Sequence, residues 1–201
     1  MRKISSFLLL LFSLAITACG GGGDSSSGGG SSDSGSSGVT KIVALGDSIG
    51  ARGLNWPTVV GKMSGVSVSN YSQDSLKTSD FVGRVAGILS KEKPSHLMIL
   101  LGTNDARSGS VSGAISNLQV MVNIANSAGV VAIVGTIPPN LRDAAEDARA
   151  AAISSGIRNL NSARIANVRE NLAGGAGLFP DGLHPNSAGS RIIGSAFNDQ
   201  L

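Results

Sequence analysis

From residue 41 onward the chain alternates short, continuous apolar runs with longer stretches whose apolar residues recur every three or four positions. The short runs are Lys41 to Leu45, Val66 to Asn70, His96 to Leu101, Val130 to Ile137 and Ile165 to Val168, and each predicts a strand. Asn55 to Met63 reads as a helix with Trp56-Pro57 in its first turn, where proline is tolerated. Thr78 or Ser79 caps a helix reaching about Lys91, on which Phe81, Val82, Val85, Ile88 and Leu89 fall at helical spacing before Pro94 breaks it. Val111, Ile115, Leu118, Val122 and Ala125 mark an amphipathic helix over Val111 to Ala128, closed by Gly129. Pro138-Pro139 stops the fourth strand, the Ala-rich stretch from Arg142 to about Leu160 is helical, and a last helix runs from Asn186 to about Asn198.

The strand runs are apolar on both faces, which suits a parallel sheet covered by helices. Strands alternating with helices imply an α/β fold, a three-layer α/β/α sandwich around a five-stranded parallel sheet of flavodoxin-like order 2-1-3-4-5. That order has a topological switch point between strands one and three. Ligands in such sheets bind outside the carboxyl ends of the strands, at the switch point.

The first 38 residues follow another pattern. Arg2 and Lys3 precede a mostly apolar run from Phe7 to Ala18, too short to span a bilayer and typical of a signal peptide over residues 1–18. Ile16-Thr17-Ala18-Cys19 resembles the bacterial lipobox. The resemblance implies acylation of Cys19 and a lipid-anchored place in the cell envelope, at the outer membrane, because Gly20 rather than an aspartate follows the cysteine. Several acyl chains on one residue anchor stably where one chain would not. Residues 20–38 contain only 9 Gly, 8 Ser and 2 Asp. Such a stretch reads as a flexible linker with a root-mean-square span of about 25 Å. The folding domain is therefore residues 39–201.

Composition excludes several functions. Cys19 is the single cysteine and His96 and His184 the two histidines, which argues against an internal disulfide and against an imidazole-rich metal site. Seven aromatics, five of them Phe, are too few for a base-stacking platform. The net charge of +3 comes from scattered single residues, so no nucleic acid is expected as partner. The expected partners are a small-molecule, lipid or carbohydrate ester and the membrane, with the domain a monomer.

The chemistry lies at the predicted strand ends. Gly46-Asp47-Ser48-Ile49-Gly50 follows strand one, Gly102-Thr103-Asn104-Asp105 follows strand three, and Asp181-Gly182-Leu183-His184-Pro185 follows strand five. The fold brings all three to one edge. A serine hydroxyl becomes a nucleophile when a base takes its proton, and His184 is a base suited to neutral pH. Asp181, three residues earlier, can accept from one ring nitrogen and fix the tautomer. The backbone N–H of Ser48 and the side-chain amide of Asn104 are candidate donors to an oxyanion.

These blocks resemble the SGNH (GDSL) hydrolase family of esterases and lipases. GDSIG at 46–50 is similar to its first block, GTND at 102–105 to its third and DGLHPN at 181–186 to its last. The resemblance implies Ser48 as nucleophile, His184 as base, Asp181 as its orienter, Asn104 as an oxyanion donor, and no metal or organic cofactor. One block departs from the pattern. Asn70-Tyr71-Ser72-Gln73-Asp74-Ser75 carries Ser75 where the family has a glycine whose N–H completes the oxyanion hole. Serine keeps that N–H, but its side chain disfavours a left-handed backbone.

The implied activity is hydrolysis of carboxylic esters through an acyl-enzyme. Alternatives are an acyltransferase using the same triad, a surface-anchored binding module with a decayed site, and a flavodoxin-like cofactor binder, against which Asp47 in the first loop would repel phosphate. Other polar residues read as structural. Asp105 is a turn or cap, His96 a satisfied strand histidine, and Trp56 a packing residue. Arg52, Asp74 and Arg107 read as solvated charges, and Asp143, Glu146 and Asp147 as a solvated helix face.

Overall fold

The computed structural model describes residues 38–201. The expected signal peptide, the lipidation at Cys19 and the linker up to residue 37 lie outside the described residues.

Five strands form one parallel sheet: β1 (Ile42–Gly46), β2 (Val68–Asn70), β3 (His96–Leu100), β4 (Val131–Gly135) and β5 (Arg164–Ala166), in the order β2-β1-β3-β4-β5. The alternating side chains of β1, β3 and β4 feed two cores. Val43, Leu45, Leu97, Ile99, Ala132 and Val134 face one side. They pack on α4 (Val85–Glu92), α6 (Val111–Ser127) and α7 (Ala144–Ile157). Ile42, Ala44, Met98, Leu100 and Ile133 face the other, against α2 (Trp56–Ser64) and α9 (Ser187–Asn198). The two-sided apolar strands thus become a three-layer sandwich because each face has its own helical cover. Trp56 is fully buried and stacks on Phe197 with ring centroids 4.4 Å apart, tying α2 to α9.

The helix expected from residue 78 to 91 is two helices, α3 (Ser79–Val82) and α4, with Gly83 and Arg84 at the break. Glycine has the poorest helix propensity after proline, and the tight turn there is closed by Arg84 N–H donating to the Phe81 carbonyl. Thr78 makes no side-chain cap. Its hydroxyl donates instead to Asp105 at 2.7 Å. Side-chain caps that the sequence reading did not name start three other helices: Asn55 accepts from Thr58 N–H, Asp143 from Glu146 N–H, and Asn186 from the N–H groups of Ala188 and Gly189. Short elements that the periodicity did not reveal complete the chain: α1 (Ser48–Ala51), α5 (Thr103–Ser108), α8 (Val168–Asn171) and a 3-10 turn at Ala176–Leu178. All are under two turns, too brief to show a helical repeat. None of the described helices is long and apolar enough to cross a membrane.

The acidic group on α7 is not a solvated face. Besides the Asp143 cap, Asp147 accepts from Asn140 N–H at 2.8 Å and pairs with Arg169, while Glu146 accepts from the Asn140 amide at 2.8 Å. These contacts fix the loop that follows β4. His96 is buried and bonded through Nδ1 to Ser95 Oγ at 3.0 Å; burial, with the Arg164 charge second, pushes its pKa down.

Candidate active site

The switch point between β1 and β3 carries the first two chemical blocks. The chain leaves β1 through Asp47, which caps α1 by accepting from Ile49 N–H at 2.9 Å. Its carbonyl accepts from the N–H groups of Gly50 and Ala51. None of these bonds engages the N–H of Ser48, the first residue of α1. The two glycines around Ser48 answer to close packing. A Cβ on Gly46 or Gly50 would fall 2.5 or 2.3 Å from Ser72 Oγ, so the segment after β2 lies directly against the β1–α1 turn.

Asp47 is buried, and its second oxygen has no hydrogen-bond partner. Burial pushes this carboxyl up to about 6, against the opposing effect of the Ile49 N–H bond. Ser72 Oγ and Trp56 Nε1 are likewise buried without a partner.

Ser48 Oγ lies 2.9 Å from His184 Nε2 across 136 residues of sequence. His184 Nδ1 lies 2.7 Å from Asp181 Oδ2. The other carboxylate oxygen of Asp181 accepts from the backbone N–H groups of His184 at 2.7 Å and Leu183 at 2.9 Å. A single turn thus fixes both ends of the carboxylate, and Gly182 supplies its left-handed residue at φ 76°. The imidazole hydrogen bond, followed by the His184 N–H, drives the Asp181 carboxyl far below the usual carboxylate range. Asp181 is therefore an anion at any pH near neutral and can hold Nδ1 protonated, leaving Nε2 to accept the serine proton.

Asn104 is the second residue of α5, which enters through Gly102 at φ 138°. A Cβ on Gly102 would meet Ile137 Cδ1 at 2.8 Å, so position and conformation both call for glycine. Asn104 Nδ2 donates to the Leu76 carbonyl at 3.0 Å. One amide hydrogen is used in that bond and the second is left for another acceptor.

Ser75 lies in the turn before Leu76 with φ 64°. The left-handed backbone is present despite the serine side chain. That side chain is exposed, which spares the turn a buried hydroxyl. The loop is pinned at both ends, by Gln73 N–H on the Gly46 carbonyl at 3.2 Å and by Thr78, whose N–H and hydroxyl both bond Asp105. Asp105 is buried and braces this loop from within α5, a structural role other than the turn or cap that the sequence suggested.

Two charged pairs rim the site, and the sequence reading paired neither. Arg52 Nε lies 2.9 and 3.0 Å from the two Asp74 oxygens, joining the end of α1 to the Ser75 loop. Arg142 reaches Asp181 at both its side-chain Oδ2 and its backbone carbonyl. These residues looked like solvated charge and helix start respectively. The available signal was positional, since Arg142 follows the carboxyl end of β4 and Asp74 that of β2. Arg107 stays exposed at the far end of α5, 3.9 Å from Glu146. Among the described residues no group of three or more His, Cys, Asp or Glu could hold a metal ion.

The GDSL-like Lipase/Acylhydrolase family model matches residues 23–192. No curated protein matches the chain in sequence. Among solved structures, the lipase/acylhydrolase of Enterococcus faecalis is 22% identical with a TM-score of 0.70, over 80% of this chain and 94% of its own. The psychrotrophic esterase EstA of Pseudoalteromonas sp. is 21% identical with a TM-score of 0.64, over 80% and 96%. The acetylxylan esterase Axe2 of Geobacillus stearothermophilus is 17% identical with a TM-score of 0.67, over 80% and 93%. At these identities the likeness to the solved structures is one of fold.

Proposed function

The chain belongs to the GDSL-like Lipase/Acylhydrolase family, and from that premise we propose that it is a serine esterase that hydrolyses carboxylic esters through an acyl-enzyme at Ser48. The observation that carries the proposal is the continuous contact from Ser48 Oγ through the His184 ring to Asp181, at 2.9 and 2.7 Å.

In this mechanism Ser48 Oγ attacks the ester carbonyl carbon as His184 Nε2 takes the hydroxyl proton. The negative charge then on the carbonyl oxygen is held by Ser48 N–H, the free amide hydrogen of Asn104 and the N–H of Ser75. Collapse of the tetrahedral species breaks the bond to the alcohol oxygen, which leaves with the proton from His184. Water, deprotonated by the same imidazole, attacks the acyl carbon. The acid is released and Ser48 recovers its proton. Asp181 stays ionised throughout and stabilises the imidazolium that forms twice per cycle. Support for ester substrates comes from the names of the similar structures, an esterase, a lipase/acylhydrolase and an acetylxylan esterase. The experiment is covalent labelling with a fluorophosphonate, which should modify Ser48 once per chain. Label on another residue, or none, refutes the assignment.

The oxyanion roles have their own test. Asn104→Ala should lower kcat by about 10²–10³, the usual loss for one oxyanion donor, with little change in KM. Ser75→Gly keeps the backbone N–H and relieves the left-handed serine, so its kcat should match or exceed that of the unaltered protein. A fall in kcat on that change would remove Ser75 from the oxyanion hole.

We also propose that the protein is exported and acylated at Cys19, which the run before Cys19 and the Gly/Ser stretch after it support. Acylation is read by metabolic labelling with a radioactive fatty acid in a bacterial host. The label should enter the membrane-bound protein and be absent from Cys19→Ser.

A further inference from the structure

We propose that Arg142 is a positioning residue for the Asp181–His184 pair: it grips Asp181 at the carboxylate oxygen that the imidazole also contacts and lowers the basicity that Asp181 confers on His184. The catalytic consequence rests on the triad reading above.

Four observations carry it. First, Arg142 touches Asp181 twice, at the carboxylate oxygen that also faces His184 Nδ1 and at the backbone carbonyl of the same residue. A guanidinium can do this because its donors are splayed in a rigid plane, whereas an ammonium offers one compact point. Second, the next residue makes room for it. A Cβ on Gly182 would come 3.0 Å from Arg142 Cγ.

Third, the loop carrying Arg142 is itself fixed. Arg142 N–H donates to Asn140 Oδ1 at 2.9 Å, and Leu141 N–H donates to the Gly182 carbonyl at 2.8 Å. Asn140 is in turn held by Asp147 and Glu146, and Asp147 by Arg169. The turn bearing Asp181 and His184 is thus docked on a braced segment rather than left free on the surface, although the Asp181 side chain is 46% exposed.

Fourth, two of the three carboxylates around His184 face a cation. Its own turn presents Asp181; the β1–α1 turn presents Asp47; the β2–α3 loop presents Asp74. Arg52 caps Asp74, and burial pushes Asp47 toward its neutral form. Arg142 is the cation placed on Asp181. An unopposed carboxylate hydrogen-bonded to a histidine favours the imidazolium. A cation sharing that carboxylate offsets the effect without displacing it.

The test uses Arg142→Met and Arg142→Lys. In Arg142→Met the two backbone N–H groups still hold Asp181, so loss of the positive charge dominates and His184 binds its proton more tightly. The acid limb of kcat/KM should move up by about half a pH unit, as expected for one charge several ångströms away in a water-exposed site. In the same variant kcat should fall about tenfold as the turn loosens. Arg142→Lys restores the charge but not the fork. Its acid limb should return to the original position while kcat stays reduced. An unmoved limb in Arg142→Met overturns the proposal, and so does full kcat in Arg142→Lys. If Arg142→Met does not fold, Arg142→Gln, which also removes the charge, takes its place, and an unmoved limb there overturns the proposal.

The His184 ring resonance, one of two histidines to assign, reports the same displacement by NMR without substrate. Turnover that survives Ser48→Ala would therefore sink the triad reading, while an unshifted resonance in Arg142→Met would sink the positioning role. The two failures are distinguishable.

Discussion

Replacing Ser48 by alanine is expected to abolish turnover of a short-chain nitrophenyl ester while leaving the thermal unfolding curve in place. Removal of an acyl-transfer nucleophile lowers kcat by about 10⁶ in enzymes of this mechanism. The residual rate belongs to the oxyanion donors, which still polarise a bound carbonyl. The fold should tolerate the change for local reasons. The cap of α1 runs from Asp47 to Ile49 N–H and does not involve the Ser48 hydroxyl. Ser48 is only half-buried, so loss of its oxygen opens no closed cavity. Alanine is the best helix former at the first position of α1. Unchanged unfolding with lost activity is the expected pair of results. Activity within tenfold of the original protein would place the nucleophile elsewhere.

Asp181→Asn should cost about 10⁴ in kcat with the turn preserved, the loss recorded when the equivalent carboxylate of a serine-protease triad becomes an amide. Asparagine keeps one oxygen to accept from the Leu183 and His184 N–H groups, which bond Asp181 Oδ1 in the native turn. It then turns an NH2 group toward His184 Nδ1 and toward Arg142. Facing that amide, Nδ1 becomes the acceptor and the proton moves to Nε2, the nitrogen 2.9 Å from Ser48 Oγ. The base is then in the wrong tautomer. The pH profile distinguishes this from misfolding. The Asp181 carboxyl is held far below the usual range by its hydrogen bonds to His184, so it titrates well below the pH at which an imidazole does. Asp181 therefore contributes no limb to the native profile near neutral pH. Raising the pH should return less of the lost activity in Asp181→Asn than a simple change in proton affinity would allow. Full recovery at high pH would show that Asp181 tunes His184 and does not orient it.

The strands were readable because continuous apolar runs of five or so residues fit a doubly covered parallel sheet, and β1, β3 and β4 are that kind of run. The long helix α6 was readable from its apolar period and closing glycine, α7 from its alanine-rich stretch and α9 from its entry after Pro185, all signals that act within a short span of chain. The break at Gly83 was missed because the buried residues on either side, Phe81 and Val85, are spaced as one helix would space them. The acidic residues of α7 were misread for a related reason. Their partners Asn140 and Arg169 lie on other elements, and spacing along a helix says nothing about what a neighbouring loop brings.

The candidate site divides along the same line. Ser48 and Asn104 could be named from sequence because each stands in a short motif at a strand end, and the strand order by itself sends those ends to one edge; Asp181 and His184 could be named from their motif, although α8 and a 3-10 turn separate it from the end of β5. Sequence alone thus determined the layered fold and singled out the candidate site residues. Tertiary structure decided what surrounds them: that Ser75 adopts the left-handed turn, that Ser72 packs on the two glycines beside Ser48, and that Arg52 and Arg142 each face a carboxylate near the imidazole. The physical reason is range. Propensity, capping and burial period are set by neighbours in the chain, whereas an ion pair between residues 142 and 181 exists only after β4 and β5 have paired and their loops have met.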